Sequence, residues 1–332
     1  MLVLISVVIP TLGRASLKRA IESAIEQGAM VSEILVINDS GAPLEDLQQG
    51  RARVIDTPGG LGAAAARQIG VTASSGEFVA FLDDDDEWLD GHLEDALNVL
   101  TRHRDVSVYA ARAEVVTAGV RSISPRVVYH GRCSLISFLY GWRVLLGRSR
   151  TVPTPAVVAR RASVENTPME CERSTFEDFV WLLDLEAAGC TFFQSERCGA
   201  RVFTDSARSD RRMTTPVELD WADRLNALQR GAGERYIALV AGRRLARSGD
   251  PDQLRAISRG FRASAPMSPA AQLVTLAFIM LAMCVRLLRP ANVVGESDAP
   301  LWHATEAGQS CRVGQGLDWR ASGRPAHDGA VG

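Results

Sequence analysis

Lysine is almost absent from this chain. Lys18 is the only one among 332 residues, and arginine carries the rest of the basic charge, a bias that reads as genome composition rather than mechanism. Positive charge is not in excess either: 37 basic residues against 39 acidic ones leave a formal net charge of -2, so nothing in the balance favours a nucleic-acid partner. The six cysteines, Cys133, Cys171, Cys190, Cys198, Cys284 and Cys311, form no C-x-x-C pair, which removes the usual spacing of a zinc site and any sign of a disulfide framework. Free thiols are the simpler reading. The apolar opening MLVLISVVIP lacks the charged n-region of a secretory signal and runs straight into the first expected strand, so the body of the protein is expected in the cytoplasm. What remains is an ordinary globular composition, 46% hydrophobic and 23% charged, long enough for one large α/β domain with additions or for two domains.

Short β-branched runs alternate with helical patterns from the start. VLISVVIP is followed by a helix over 15–26, then EILVIN, RVID, a helix over 61–73, EFVAFL and a helix over 91–103. This alternation predicts a mostly parallel sheet flanked by helices, whose ligands sit at the carboxyl ends of the strands. TLGR, NDSG and DDDDEW all fall at such ends and are expected to share one rim. Beyond residue 106 come VSVYAARAEVV, an apolar and aromatic segment at 134–146, TPAVVARRASV and a helix over 179–188 that Gly189 ends; these read as the second half of the same domain. Residues 216–264 are helical in pattern and rich in arginine. The apolar run over 270–285 is about one turn short of the roughly 20 residues a membrane span needs. Two readings stay open for it: a packed helix, or shallow or re-entrant membrane insertion, which its apolar character nearly all round and the trailing Arg286 and Arg289 favour. From 295 onward the chain lacks periodicity and is expected to lack fixed structure.

Asp83, Asp84, Asp85 and Asp86 stand side by side after FVAFL. Like charges at that spacing repel, and partial burial raises the cost of each, so something positive is expected to meet them. A hard divalent cation, Mn²⁺ or Mg²⁺, takes oxygen ligands, and alternate residues of the run can face the same way, which makes Asp83 and Asp85 the candidate metal pair. A solvated acidic turn ahead of the next helix is the alternative. PGGLGAAAARQIG, at 58–70, puts the backbone near Gly62 where a phosphate can approach a helix start, with Arg67 one face along. Asp39, in VINDSGA, reads either as a turn or cap residue or as a ligand. Taken together, these pieces describe a site for a nucleotide diphosphate.

In this order the segments resemble family 2 glycosyltransferases of the GT-A fold. SVVIPTLGR resembles that family's opening strand and Pro-Thr turn, ILVINDSG its Val-Asp-Asp-Gly-Ser segment, GLGAAAARQIG its helix start, FVAFLDDDDEW its Asp-x-Asp motif and FEDFVWLLDLEAAG its Glu-Asp helix, over residues 3–205. The resemblance implies a nucleotide-sugar donor, most often a UDP-sugar. It implies that Pro10, Thr11 and Asp39 line the pocket for base and ribose, with Arg14, Gly62, Arg67, Asp83 and Asp84 also on the nucleotide. Asp85, with Asp83, would bind the Mn²⁺ or Mg²⁺ that bridges the phosphates, and Asp178 of the Glu177-Asp178 pair would be the general base. Asn38 departs from the family's usual aspartate, Ser40-Gly41 reverses its Gly-Ser order, and Gly60 stands where asparagine is common. The histidine many members carry after the Glu-Asp helix is missing from RVFTDSARSDRRM, which leaves Asp205, Arg208 or Arg211 as substitutes near the diphosphate.

The expected organisation is a GT-A domain over 1–215, with a nucleotide-binding half to 105 and an acceptor-side half after it. A helical extension over 216–294 would carry the apolar helix at 270–288, followed by the tail over 295–332. The expected function is metal-dependent, inverting hexosyl transfer to a hydroxyl of a cell-surface glycan, glycolipid or polyprenyl-linked acceptor at the cytoplasmic membrane face. The alternatives are a non-catalytic relative that keeps sugar-nucleotide or membrane binding, and a nucleotidyltransferase, for which TLGRAS is a poor opening loop.

Overall fold

The run ISVVIPT forms β1 (Ile5–Thr11) and is buried along its whole length, as a strand covered by helices on both faces must be. The computed structural model describes residues 4–44, 52–140, 150–169, 176–204 and 215–237. Among these, β1 joins β2 (Val31–Asn38), β3 (Ala52–Asp56), β4 (Phe78–Phe81), β5 (Glu87–Trp88), β6 (Val108–Thr117), β7 (Val120–Ser124), β8 (Val157–Arg160) and β9 (Phe192–Thr204) in one sheet. The order is β3-β2-β1-β4-β8-β6-β9-β5, with β7 on β6. β1 to β4 are mutually parallel, β8 runs against β4 and β6, and β9 runs parallel to β6. The mostly parallel α/β sheet expected from the alternation is therefore present. β5, β7 and β9 were not foreseen. β5 is only two residues long, and it exists because Glu87 and Trp88 pair with Arg201 and Ala200 of β9.

The helices are α1 (Leu17–Glu26), α2 (Ala63–Ala73), α3 (His92–Arg102), α4 (Leu135–Tyr140), α5 (Arg161–Asn166), α6 (Glu177–Ala187), α7 (Thr215–Leu228) and α8 (Ala232–Tyr236). Strand side chains alternate between two cores, as a pleat dictates. Val8, Leu35, Ile37, Val79 and Phe81 join the core shared with α2, α4, α6, α7 and α8; Val7, Ile9, Ile34, Val36, Phe78 and Ala80 join the one shared with α1 and α3. Trp221, Ala222, Leu225 and Tyr236 belong to the first core, so the start of the helical extension packs directly onto that face of the sheet. The apolar run at 270–288 and the tail lie outside the described residues. Among the described residues no helix is long and apolar enough to cross a membrane.

Close packing of α2 on β1 fixes how near that helix sits to the sheet. Gly70 lies so near the sheet that a Cβ there would stand 2.3 Å from Val8 Cγ1. Alanine in a helix is ordinarily better than glycine by about 1 kcal/mol, but Val8 is stiff and fully buried, so the clash decides the sign. Gly70→Ala should lower stability to urea by about 1–3 kcal/mol, and Val8→Ala in the same chain should recover part of that. A neutral or stabilising Gly70→Ala would show that the helix is free to lift off.

His92 opens α3 and is 2% exposed, with its ring 5.2 Å from Trp88 and 6.0 Å from Tyr109 and no hydrogen-bond partner on either nitrogen. Burial pushes its pKa down to about 3. A base depressed in the folded state contributes stability that is complete above its unfolded pKa of about 6.5 and is lost as pH falls toward the folded value. Between pH 7 and pH 4 the loss should reach about 3 kcal/mol, and His92→Leu should flatten that part of the urea-midpoint profile. Equal acid slopes in the two proteins would mean that His92 is protonated at no cost.

Candidate active site

The three polar clusters meet at one edge, because β1, β2 and β4 are adjacent and parallel and all end there. Pro10 and Thr11 are the last residues of β1, opposite Ile37 and Asn38 of β2. The Asp39 amide hydrogen-bonds the Thr11 carbonyl at 2.9 Å. The four aspartates form a turn closed by the Asp86 amide on the Asp83 carbonyl, 3.1 Å. Their side chains alternate: Asp84 and Asp86 are buried, while Asp83 and Asp85 are half-exposed. Asp84 Oδ2 accepts from Thr11 Oγ1 at 2.6 Å, and Asp84 Oδ1 accepts from Arg14 Nη1 at 2.7 Å. The same Arg14 nitrogen reaches Asp85 Oδ2 at 2.5 Å. Asp86 faces the other way and takes the Phe203 amide of β9 at 2.9 Å, which pins the turn to the sheet's far half.

Arg67 is the centre of the arrangement. The residue is 3% exposed, and its guanidinium donates to Asp83 Oδ1 at 2.6 Å and to Asp178 Oδ1 at 2.5 Å. Burial opposes its charge, but Asp178, Asp83 and Glu177 outweigh that and hold its pKa above the ordinary value. Asp178 is the second residue of α6, and burial raises its pKa in spite of Arg67 and a hydrogen bond with Thr154. Burial, then the neighbouring Asp178, raises Glu177, whose carboxyl takes the Ala64 amide at the start of α2. Thus one buried arginine ties the acidic turn after β4 to the Glu-Asp helix, 111 residues apart in the case of Asp178.

Asp39 holds the glycine loop. Its Oδ1 accepts from Thr57 Oγ1 at 2.6 Å and the Leu61 amide at 3.0 Å, and its Oδ2 accepts from the Gly62 amide at 2.8 Å. The turn role considered for Asp39 is therefore present, and Gly62 meets this carboxylate. Gly59 passes so close to Gly41 that a Cβ on it would stand 2.7 Å from the Gly41 Cα, so the loop requires glycine there. Asn38 explains its own departure from aspartate: its Nδ2 donates to Asp56 Oδ1 and to the Ala42 carbonyl, both at 2.7 Å. A second carboxylate there has no hydrogen to give.

Asp83 and Asp85 are both half-exposed, and their ion pairs go to different arginines, Arg67 for the first and Arg14 for the second. Among the described residues no three carboxylate, imidazole or thiol groups converge as a metal site. The donor set nevertheless fits Mg²⁺ or Mn²⁺ of the kind that takes one or two carboxylates and completes its shell with substrate phosphates. In the ion pairs above, Asp84 and Asp85 meet Arg14, and Asp83 and Asp178 meet Arg67. Burial, with Asp83 and Asp84 adding to it, keeps the Asp85 pKa raised despite Arg14. Arg19, on α1, was missed from the sequence; its Nη2 donates to the Asp85 carbonyl at 2.6 Å and its guanidinium lies 4.2 Å over the Phe203 ring. Nothing in the spacing of α1 marks it. Asp205, Arg208 and Arg211 lie outside the described residues.

Residues 6–165, just under half of the chain, match the family model described as glycosyl transferase family 2, and the fold is that of the GT-A glycosyltransferases. A putative colanic acid biosynthesis glycosyl transferase, WcaA of Escherichia coli, is 34% identical over 98 residues, which are 27% of this chain and 35% of that protein. An uncharacterized glycosyltransferase of Haemophilus influenzae is 26% identical over 122 residues, 35% of this chain and 42% of its own. The chain thus spans well under half the length of these relatives. Among solved structures, S. aureus TarS 1-349 in complex with UDP-GlcNAc superposes with a TM-score of 0.59 at 14% identity, over 84% of this chain and 89% of that one. TarS 1-349 alone gives 0.58 at 13% identity, over 87% and 93%.

The bond between Thr11 and buried Asp84 can be weighed directly. Thr11→Val and Asp84→Asn should each cost about 2 kcal/mol in urea unfolding, because a buried charged acceptor loses its donor or its charge. The double variant should cost at least about 1 kcal/mol less than the sum, since both remove one interaction. Strict additivity would mean that the two side chains do not depend on each other.

Proposed function

We propose that this protein moves a sugar from a nucleotide-sugar, a UDP-sugar by preference, to a hydroxyl of a cell-surface glycan, glycolipid or polyprenyl-linked acceptor, with inversion. The observation that carries this reading is the Asp83-Arg67-Asp178 line of ion pairs at the carboxyl edge of a family 2 domain. It joins Asp83 and Asp178 to one buried cation, and in this reading the first would lie nearest the donor and the second nearest the acceptor. Pro10, Thr11 and Asp39 would line the base and ribose, with Arg14, Gly62 and Asp84 around the diphosphate. Support for the donor comes from TarS, which has been crystallised with UDP-GlcNAc and with UDP; support for an envelope polysaccharide comes from the colanic acid name of WcaA.

The acceptor oxygen attacks the anomeric carbon while the bond from that carbon to the diphosphate breaks. Its proton goes to Asp178, a carboxylate whose raised pKa makes it a better base than a free aspartate. Glu177, on the amide of Ala64, would fix the start of α6 against α2. Asp85, with Asp83, would hold a Mn²⁺ or Mg²⁺ whose charge offsets the charge that develops on the leaving diphosphate. The domain limits expected above, a cytoplasmic location and contact with the inner membrane face through 270–288 complete the proposal.

The test is calorimetric titration of UDP with Mn²⁺ and with chelator, beside turnover of UDP-sugars in the presence of an envelope glycan extract. Asp178→Asn should bind UDP within about twofold of wild type and lose transfer by about 10²–10⁴-fold. Asp85→Asn should lose the metal-dependent part of UDP binding. Transfer by Asp178→Asn near the wild-type rate would remove the base, and absence of UDP binding under every condition would leave a non-catalytic relative.

A further inference from the structure

We propose that Arg14 is a displaceable counter-ion, standing in for the divalent cation until a metal-bound diphosphate arrives and then turning to the phosphates. The inference deepens the metal and nucleotide reading of the same site. Arg14 Nη1 bridges two carboxylates, Asp84 at 2.7 Å and Asp85 at 2.5 Å, and the two are not held alike. The Asp84 side chain is 5% exposed and is latched by the Thr11 hydroxyl and, at 3.4 Å, by the Leu12 amide. The Asp85 side chain is 36% exposed, and Arg14 meets it at 2.5 Å. Asp84 therefore anchors the guanidinium, and Asp85 is the exchangeable arm.

A cation that enters alone must take Asp85 from Arg14 and leave the guanidinium with half its charge partners, close to a second positive ion. That opposes binding. A cation that brings a diphosphate supplies the missing anion: the freed guanidinium edge meets phosphate oxygens, for which its planar fork is suited, while its Asp84 contact stays. The resting ion pair thus makes the site refuse free metal and accept it with nucleotide. It also keeps the aspartate turn folded when the site is empty, because Asp85 is never left without a positive neighbour in either state.

The readout is metal binding without nucleotide, followed by the Mn²⁺ electron paramagnetic resonance signal on the full chain. Arg14→Gln should bind Mn²⁺ alone at least about fivefold more tightly than wild type, and Arg14→Gln with Asp85→Asn should lose that gain. In the same Arg14→Gln protein, UDP titrated with Mn²⁺ should bind more weakly, so the cooperativity between metal and nucleotide falls. Arg14→Lys keeps the charge but loses the fork; it should show a smaller gain in the same direction, which keeps the test in force if the glutamine variant does not fold. Unchanged or weaker Mn²⁺ binding in both variants overturns the proposal, as does a gain that persists with Asp85→Asn. Metal-independent UDP binding by wild type, with Mn²⁺ alone still tightened by Arg14→Gln, would sustain the counter-ion and sink the metal-dependent reading of transfer.

Discussion

Charge compensation at the carboxyl edge of the sheet governs everything around it. Asp83 to Asp86 come within one turn, and carboxylates partly removed from water cannot stay together unless cations meet them or protons neutralise them. The chain uses both. Arg14 and Arg67 meet Asp83, Asp84 and Asp85, while burial, reinforced by Asp83, pushes Asp86 up to about 8. Each arginine comes from a different element, the loop after β1 and the helix α2. The turn is thereby a junction that fixes the relative placement of three segments far apart in sequence.

Arg67 has the harder task because it is buried and serves two carboxylates. A guanidinium out of water is tolerable only when its partners remain charged, and its partners are tolerable only while it is present. That mutual dependence explains why α2 is alanine-rich and why Gly70 lets it press on Val8: the helix must sit deep for Arg67 to reach both Asp83 and Asp178. It also explains the glycine loop. Asp39 gathers the Thr57 hydroxyl and the amides of Leu61 and Gly62, which sets the first turn of α2 and hence the height of Arg67.

The parallel strands and their rim were legible because β1, β2 and β4 are continuous apolar runs, each followed at once by a polar cluster. That pattern has few alternative structures. The residues of the site were legible by type, but their partners were not. An acidic run calls for a cation in general, and only the fold shows that Arg14 and Arg67 fill that need in the resting protein. Arg19 was hidden because its task depends on β9 bringing Phe203 under it, a contact made across more than 180 residues. β9 itself, FFQSERCGARVFT, escaped because polar and charged residues interrupt its pattern; its place is set by long pairing with β6 and by a register shift near Arg112. Short β5 has no periodicity to detect and owes its existence to β9.

The same dependence extends to the helical extension. Phe176 immediately precedes Glu177 and Asp178, and its ring stacks on Trp221 of α7 at 4.7 Å and 9° while meeting Tyr236 of α8 edge-on at 5.7 Å. Tyr140 of α4 closes the group, with its ring 6.4 Å from Trp221 and 5.6 Å from Tyr236. Aromatic contacts of this kind fix orientation as well as burying surface. The residue that sets the start of α6 is therefore held by the extension, whereas Arg67 holds the carboxylate two residues further on. Asp178 lies between the aromatic group that holds Phe176 and the charged pair with Arg67, so α7 and α8 help to set the start of α6 even though none of their side chains is assigned to the rim.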